Sequence, residues 1–270
     1  MILLKKIFDK AGIKRSYPFF VQDKTVMVPI QNGLGYANLR NSEPWMIELF
    51  LKLGGQDKSL LDVGVNVGQT LIAWKALFPN SDYIGFEPNR LCVNYVEDLI
   101  KKNNFTNCAL EPYGISNKKE DAQLFLLPKD KGDSSASMIK EFRPEDERIS
   151  LDIQTIPLQE TKYKNFDIAK IDVEGAELEV IQSIFEVNQS ATFICEILPV
   201  YSQENKFRLE RQKEIKNILN SNNYAIFRVI KKGGVKIEEV QEFGIHSELE
   251  MCDYIFVPED TKQALISKFS

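Results

Sequence analysis

Between residues 59 and 198, short apolar runs alternate with segments of helical periodicity, and this alternation restricts the fold more than any other feature. Leu60, Leu61 and Val63 form a short buried strand, followed by a helix over residues 69–78. Tyr83, Ile84 and Phe86 form the next strand, and residues 89–102 place Leu91, Val93, Val96, Leu99 and Ile100 at helical spacing. Residues 108–115, 123–127, 151–156 and 166–172 read as strands, then 176–185 as helix, 191–198 as strand and 206–219 as helix. Strands alternating with helices of this length give βαβ units and a largely parallel sheet covered on both faces. The last strands, 224–230 and 253–257 with a short one over 236–240, lack intervening helices, so the closing pair is expected to be antiparallel. The expected fold class is α/β, a doubly wound, Rossmann-like, mostly parallel sheet of seven strands with an antiparallel terminal strand.

Upstream, residues 19–22 and 25–30 read as extended segments around the turn Asp23-Lys24. Residues 44–53 carry Trp45, Ile47, Leu49, Phe50 and Leu53 at helical spacing, with Ser42 and Glu43 as cap candidates and Gly54-Gly55 as the stop. Residues 1–55 therefore read as an N-terminal extension packed on a core of residues 56–270. Within that core the polar stretch 129–150 is expected to be a loop or lid. Residues 1–15 set Ile2, Leu3, Ile7 and Phe8 against Lys5, Lys6, Lys10, Lys14 and Arg15. That pattern suits an amphipathic helix, either lying on an anionic membrane or packed on its own domain.

The apolar part of this segment is too short for a secretory leader, and no apolar run approaches the roughly 18 residues that span a bilayer. Cys92, Cys108, Cys195 and Cys252 are scattered, with no CxxC pair. A cytoplasmic location is expected. The formal charge of −5 argues against a phosphate-binding surface, so no nucleic-acid partner is expected.

In a doubly wound sheet, ligands bind beyond the carboxyl ends of the strands, held chiefly by the first strand-to-helix turn. That turn is Asp62-Val63-Gly64-Val65-Asn66-Val67-Gly68. Its glycines let the backbone approach a ligand and enter the helix. Glu87 follows Gly64 by 23 residues, near the spacing at which a carboxylate accepts hydrogen bonds from a ribose diol. A dinucleotide would bring pyrophosphate towards Asp62, whose charge repels it, and Leu71 occupies the third glycine position of GxGxxG. The ammonium and sulfonium of S-adenosylmethionine suit a nearby anion, which favours a methyl donor.

Leu61 to Gly68, then Gly85-Phe86-Glu87-Pro88-Asn89, then Lys170-Ile171-Asp172-Val173-Glu174-Gly175-Ala176-Glu177 together resemble the FkbM-type S-adenosylmethionine-dependent methyltransferases. The segment Gly132-Asp133-Ser134-Ser135-Ala136 is similar to that family's Gly/Ser-rich insertion, and the resemblance covers residues 60–198. It implies a class I methyltransferase fold and O-methylation of a hydroxyl on a small molecule, sugar, glycan, lipid-linked saccharide or polyketide. It also implies that Asp62, Gly64, Asn66, Gly68 and Glu87 bind the cofactor, with Tyr113 at the adenine edge.

Alternation along the strand puts Lys170, Asp172 and Glu174 on one side, where such charges are costly unless paired or working. Methyl transfer to a hydroxyl needs the proton removed. Asp172 can accept it, or Lys170 can if its pKa is lowered. A second route is Mg²⁺ held by Asp172 and Glu196, which would lie side by side at adjacent strand ends. Alternatively Lys170 and Glu174 form an ion pair that caps the following helix.

His246, the single histidine, lies in a polar stretch and reads as solvated, or as a base if its loop folds over the strand ends. Ser134, Ser135 and Ser137 either order over substrate on closure or keep the loop soluble. Tyr36, Trp45 and Tyr201 either stack on a sugar ring or pack. Other readings stay open: a catalytically silent assembly or regulatory protein, or a methyltransferase acting on protein or nucleic acid. Asp172-Val173-Glu174-Gly175 stands where base methyltransferases carry Asn/Asp-Pro-Pro-aromatic, and Asp62 argues against an NAD-dependent oxidoreductase.

Overall fold

The computed structural model describes residues 14–40, 43–128, 130, 132–142 and 147–270. The amphipathic pattern of residues 1–13 and the cap candidate Ser42 lie outside them. A hairpin opens the described chain: β1 (Arg15–Val21) pairs antiparallel with β2 (Lys24–Ile30). Helix α1 (Pro44–Leu53) follows, starting on a proline that needs no amide partner there. The alternating region then gives β3 (Ser59–Val63), α2 (Gln69–Leu77), β4 (Asp82–Phe86), α3 (Arg90–Asn103) and β5 (Cys108–Glu111).

The predicted strand over 108–115 is broken at Pro112 and Tyr113, and its second half is β6 (Gly114–Ile115). Together with β7 (Glu120–Leu126) and β8 (Ile149–Ile156) it builds a separate small sheet in the order β6-β8-β7. The main sheet resumes with β9 (Ile168–Ile171), α4 (Glu177–Phe185), β10 (Thr192–Glu196), α5 (Lys206–Ser221), β11 (Tyr224–Ile230), β12 (Lys236–Glu239) and β13 (Asp253–Pro258). Helix α6 (Lys262–Phe269) follows.

The main sheet has eight strands where seven were expected, in the order β12-β11-β13-β10-β9-β3-β4-β5. The eighth is the short run over 236–240, which pairs antiparallel with β11 as an edge strand. From β5 to β10 all neighbours run parallel, whereas β13 inserts antiparallel between β10 and β11. The sheet is thus doubly wound, mostly parallel and α/β, with its antiparallel strands gathered at one side.

Adjacent residues of β3 divide the core. Leu60 belongs to the layer formed by the hairpin, α1, α2 and α3, while Leu61 belongs to the layer beneath α4 and α5. Strand alternation requires this split when both faces are covered. The hairpin is part of the first layer: Val21, Val26, Val28 and Ile30 are buried against residues such as Leu49, Trp74 and Val96. Asn103 seals it to α3, accepting from the Met27 amide at 2.7 Å and donating to the Met27 carbonyl at 3.0 Å. Among the described residues, no helix is long and apolar enough to cross a membrane.

Candidate active site

The carboxyl ends of β3, β4 and β9 open into a cleft of about 880 Å³, bounded on its far side by residues of the 129–150 segment. Two glycines shape its floor. Gly64 has φ +92°, and a Cβ there would stand 1.9 Å from the carbonyl oxygen of Asp172. No other residue allows β3 and β9 to lie this close while the chain turns. Gly68, also left-handed at φ +78°, delivers the chain into α2. Between them Asn66 adopts φ +47°, a conformation that asparagine tolerates better than most residues. Its Oδ1 is buried without a hydrogen-bond partner among the described residues.

Glu87 lines the cleft at the end of β4. Its two oxygens accept from the Asn66 and Asn89 amides, each at 2.7 Å, so the carboxylate is aimed by backbone rather than by a counter-ion. Burial pushes its pKa up to about 7 despite these bonds. Asp62 behaves differently from its expected place beside the ligand. It is 1% exposed, beneath the floor rather than in the cleft, and accepts from the Tyr83 hydroxyl at 2.5 Å. Burial pushes its pKa up to about 6, and Oδ1 has no partner among the described residues. Tyr113 also departs from expectation. It packs on the core layer beneath α4, while the wall near Glu87 is made by Pro88, Cys92, Ile115, Leu124 and Met138.

At the chemical end, Lys170 and Asp172 share one side of the strand end as expected, and Lys170 Nζ donates to Asp172 Oδ2 at 3.1 Å. Glu177 serves the following turn, accepting from the Gly175 amide at 2.7 Å. Lys170 is 3% exposed and Asp172 34%, so the ammonium stands behind the carboxylate that faces the cleft.

Burial alone would depress the Lys170 pKa, but Asp172, Glu43, Glu196 and Asp253 surround it and hold it above the ordinary lysine value. Lys170 is therefore a fixed cation, and its expected alternative role as proton acceptor is corrected. Parallel pairing of Ile194 with Lys170 and Cys195 with Ile171 sets Glu196 beside Asp172, as the sequence implied. Burial, then Asp172 and Asp253, push the Glu196 pKa above the ordinary carboxylate value.

This donor set does not fit the Mg²⁺ expected at Asp172 and Glu196. Lys170 Nζ already lies 3.1 Å from Asp172 Oδ2, and among the described residues no group of three or more His, Cys, Asp or Glu side chains is placed to hold a metal.

Two members of the cluster escaped sequence reasoning. Glu43, read as a helix cap, makes no cap bond and lines the cleft near Asp172, its pKa raised by burial. Asp253 arrives on β13 opposite Glu196 and forms an ion pair with Lys231, whose ammonium lies 4.3 Å from the ring centre of Trp45. Nothing in the local sequence of either marks it as part of the site.

The described part of the 129–150 segment is tied down rather than loose. Asp133 accepts from the Leu127 and Ser135 amides at 2.8 and 2.9 Å and pairs with the buried Arg148 at 3.3 Å. Ser135 and Ser137 spend their hydroxyls within the segment, and Ser134 alone of the three lines the cleft. His246 lies elsewhere: its amide donates to the Val200 carbonyl at 3.0 Å, and burial lowers its pKa. Trp45 is buried packing, Tyr36 packs against the core, and Tyr201 is exposed, 5.6 Å from the Arg208 guanidinium.

The methyltransferase FkbM domain model matches residues 62–226. Solved structures with a similar fold include the ribosomal protein L11 methylase from Lactobacillus delbrueckii subsp. bulgaricus, at 13% identity and a TM-score of 0.48 over 89% of this chain and 88% of that one. Another is the O-methyltransferase from Bacillus cereus in complex with SAH, at 9% identity and a TM-score of 0.45 over 80% of each chain. The precorrin-6y C5,15-methyltransferase from Geobacter metallireducens GS-15 shares 15% identity at a TM-score of 0.41, over 79% of this chain and 86% of that one. No curated protein matches the chain by sequence. Since the domain match spans more than half of the 270 residues, and contains the glycine turn, Glu87 and the Lys170–Asp172 pair, the chain belongs to the FkbM methyltransferase family and is an S-adenosylmethionine-dependent methyltransferase.

Proposed function

We propose that the chain O-methylates a hydroxyl of a small molecule, sugar, glycan or lipid-linked saccharide, with Asp172 as the proton acceptor. The observation that carries this reading is the position of Asp172. Its carboxylate faces the cleft at the end of β9, with the Lys170 ammonium 3.1 Å behind it. A hydroxyl placed against Asp172 gives up its proton to the carboxylate as its oxygen bonds to the methyl carbon, while the Lys170 ammonium holds that carboxylate from behind.

S-adenosylmethionine supplies the electrophilic methyl group, leaving as the neutral thioether. The residues present fit it: Asn66 lines the cleft, and its Oδ1 is a buried acceptor without a partner among the described residues. Glu87 would take the ribose diol, and the apolar wall of Ile115, Leu124 and Met138 would take the adenine. Asp62 would act from below the floor through its field rather than by contact. A net charge of −5 supports a neutral acceptor over a polyphosphate.

The test is incubation of the protein with methyl-labelled S-adenosylmethionine and a panel of sugars, glycosides and glycolipids, with products read by mass spectrometry. Methyl ethers are expected, and products methylated only on nitrogen or carbon would overturn the reading.

A further inference from the structure

A second, smaller cavity adjoins the cleft and shares Glu43, Gln69 and Thr70 with it. Its walls are Phe19 and Val21 of the hairpin, Met46 and Ile47 of α1, and Ile72 and Ala73 of α2, with Asn38 and Arg40 completing its lining. We propose that this cavity holds the apolar part of the methyl acceptor, making the acceptor an amphiphilic alcohol: a hydroxylated head beside Asp172 and a hydrocarbon portion between α1 and α2. The proposal rests on the O-methyltransferase reading above and names the acceptor class within it.

Three observations support it. First, the cavity borders the chemical end of the cleft at Glu43, which lines both and also belongs to the charged cluster around Lys170. Second, six apolar side chains offer no hydrogen bonds, so they suit a hydrocarbon far better than a bare sugar, and an apolar space left empty costs stability.

Third, Asn38 lines the cavity and is 2% exposed, with an amide orientation set by donation to the Val67 carbonyl at 2.6 Å and to the Tyr95 hydroxyl at 3.2 Å. Its Oδ1 is left with no partner among the described residues, a buried acceptor suited to a donor such as a hydroxyl at the neck of an amphiphile. Phe19, Val21, Asn38, Met46 and Ile47 all precede residue 62, where the family match begins. The cavity is thus built partly by residues that the family model does not describe and closed by α2, which it does.

The probe is a series of n-alkyl β-glucosides of increasing chain length, titrated calorimetrically below micelle-forming concentrations in the presence of S-adenosylhomocysteine. Affinity is expected to rise about fourfold per added methylene until the cavity is full, then to level off. Ile47→Trp, which fills the cavity without touching the cleft, is expected to flatten the series while S-adenosylhomocysteine binds as before. Met46→Ala, which enlarges the cavity, is expected to move the plateau to a longer chain and gives a reading even if the tryptophan variant does not fold. A flat series in the native chain, or an unchanged series in a folded Ile47→Trp, overturns the inference. If S-adenosylhomocysteine itself does not bind, the methyltransferase site fails as well; if it binds and the series is flat, only the role of this cavity falls.

Discussion

Lys170 lies 3.1 Å from Asp172, with the ammonium buried and the carboxylate open to the cleft. The pair is asymmetric because the two residues stand two apart on one face of β9 as the strand reaches the cleft. Lys170 remains where Glu43, Glu196 and Asp253 also reach it, so one cation serves four carboxyl groups. This arrangement holds Asp172 in place and leaves its outer oxygen for chemistry.

Replacing Asp172 with Asn keeps the shape and removes the proton acceptor. Turnover is expected to fall by about 10²–10⁴-fold, with affinity for S-adenosylmethionine nearly intact. Steady-state kinetics together with calorimetry separates the two. Parallel losses in both would make Asp172 a structural residue.

Lys170→Met leaves the carboxyl cluster without its central cation, and a loss of about 3–5 kcal/mol is expected at pH 8. The sign with pH follows from the raised pKa values of Glu43, Glu196 and Asp253. These groups bind protons more readily in the folded chain, so acidification neutralises them and relieves the repulsion. Denaturant unfolding should therefore show a smaller deficit at pH 5 than at pH 8.

Glu87 accepts a ribose diol best when ionised, and its pKa stands at about 7. Affinity for S-adenosylmethionine should rise as pH climbs through that value, with proton release on binding below it. In the free protein the sign is opposite: stability is greatest when Glu87 is protonated, and part is lost as pH rises from the ordinary carboxylate range through about 7. Glu87→Gln should bind the cofactor more weakly and without this slope.

Gly64→Ala introduces a Cβ 1.9 Å from the Asp172 carbonyl oxygen at a left-handed φ. The ends of β3 and β9 must separate to admit it. A fall in melting temperature together with loss of cofactor binding is expected. A variant that melts and binds like the native chain would contradict the close approach.

Exhaustive chelation should leave the rate unchanged, because Lys170 occupies the electrostatic role that a divalent ion would take between Asp172 and Glu196. A rate restored only by added Mg²⁺ would refute this.

The parallel half of the sheet was legible because Leu60 and Leu61 are both apolar, the mark of a strand covered on two faces. Glu87 and the Asp172–Glu196 neighbourhood were legible for a related reason: parallel strands in register bring their carboxyl ends together. Asp253 was not, since β13 runs antiparallel and presents its first residue, not its last, to the site. Glu43 was missed because only the packing of α1 against α2 carries it to the cleft. Asp62 was located correctly in the chain but placed on the wrong side of the floor, because a strand residue ahead of a glycine turn can face either the ligand or the core.

The insertion of β13 between β10 and β11 also bears on how the chain is made. During synthesis β10 and β11 leave the ribosome well before residue 253, and until then each presents an open edge along Phe193, Cys195 and Phe227 towards the gap. Such edges can recruit foreign strands. The nascent protein therefore passes through a period in which seven strands of the main sheet exist but the sheet is split, and the charged cluster around Lys170, lacking Asp253, is completed only when that gap closes.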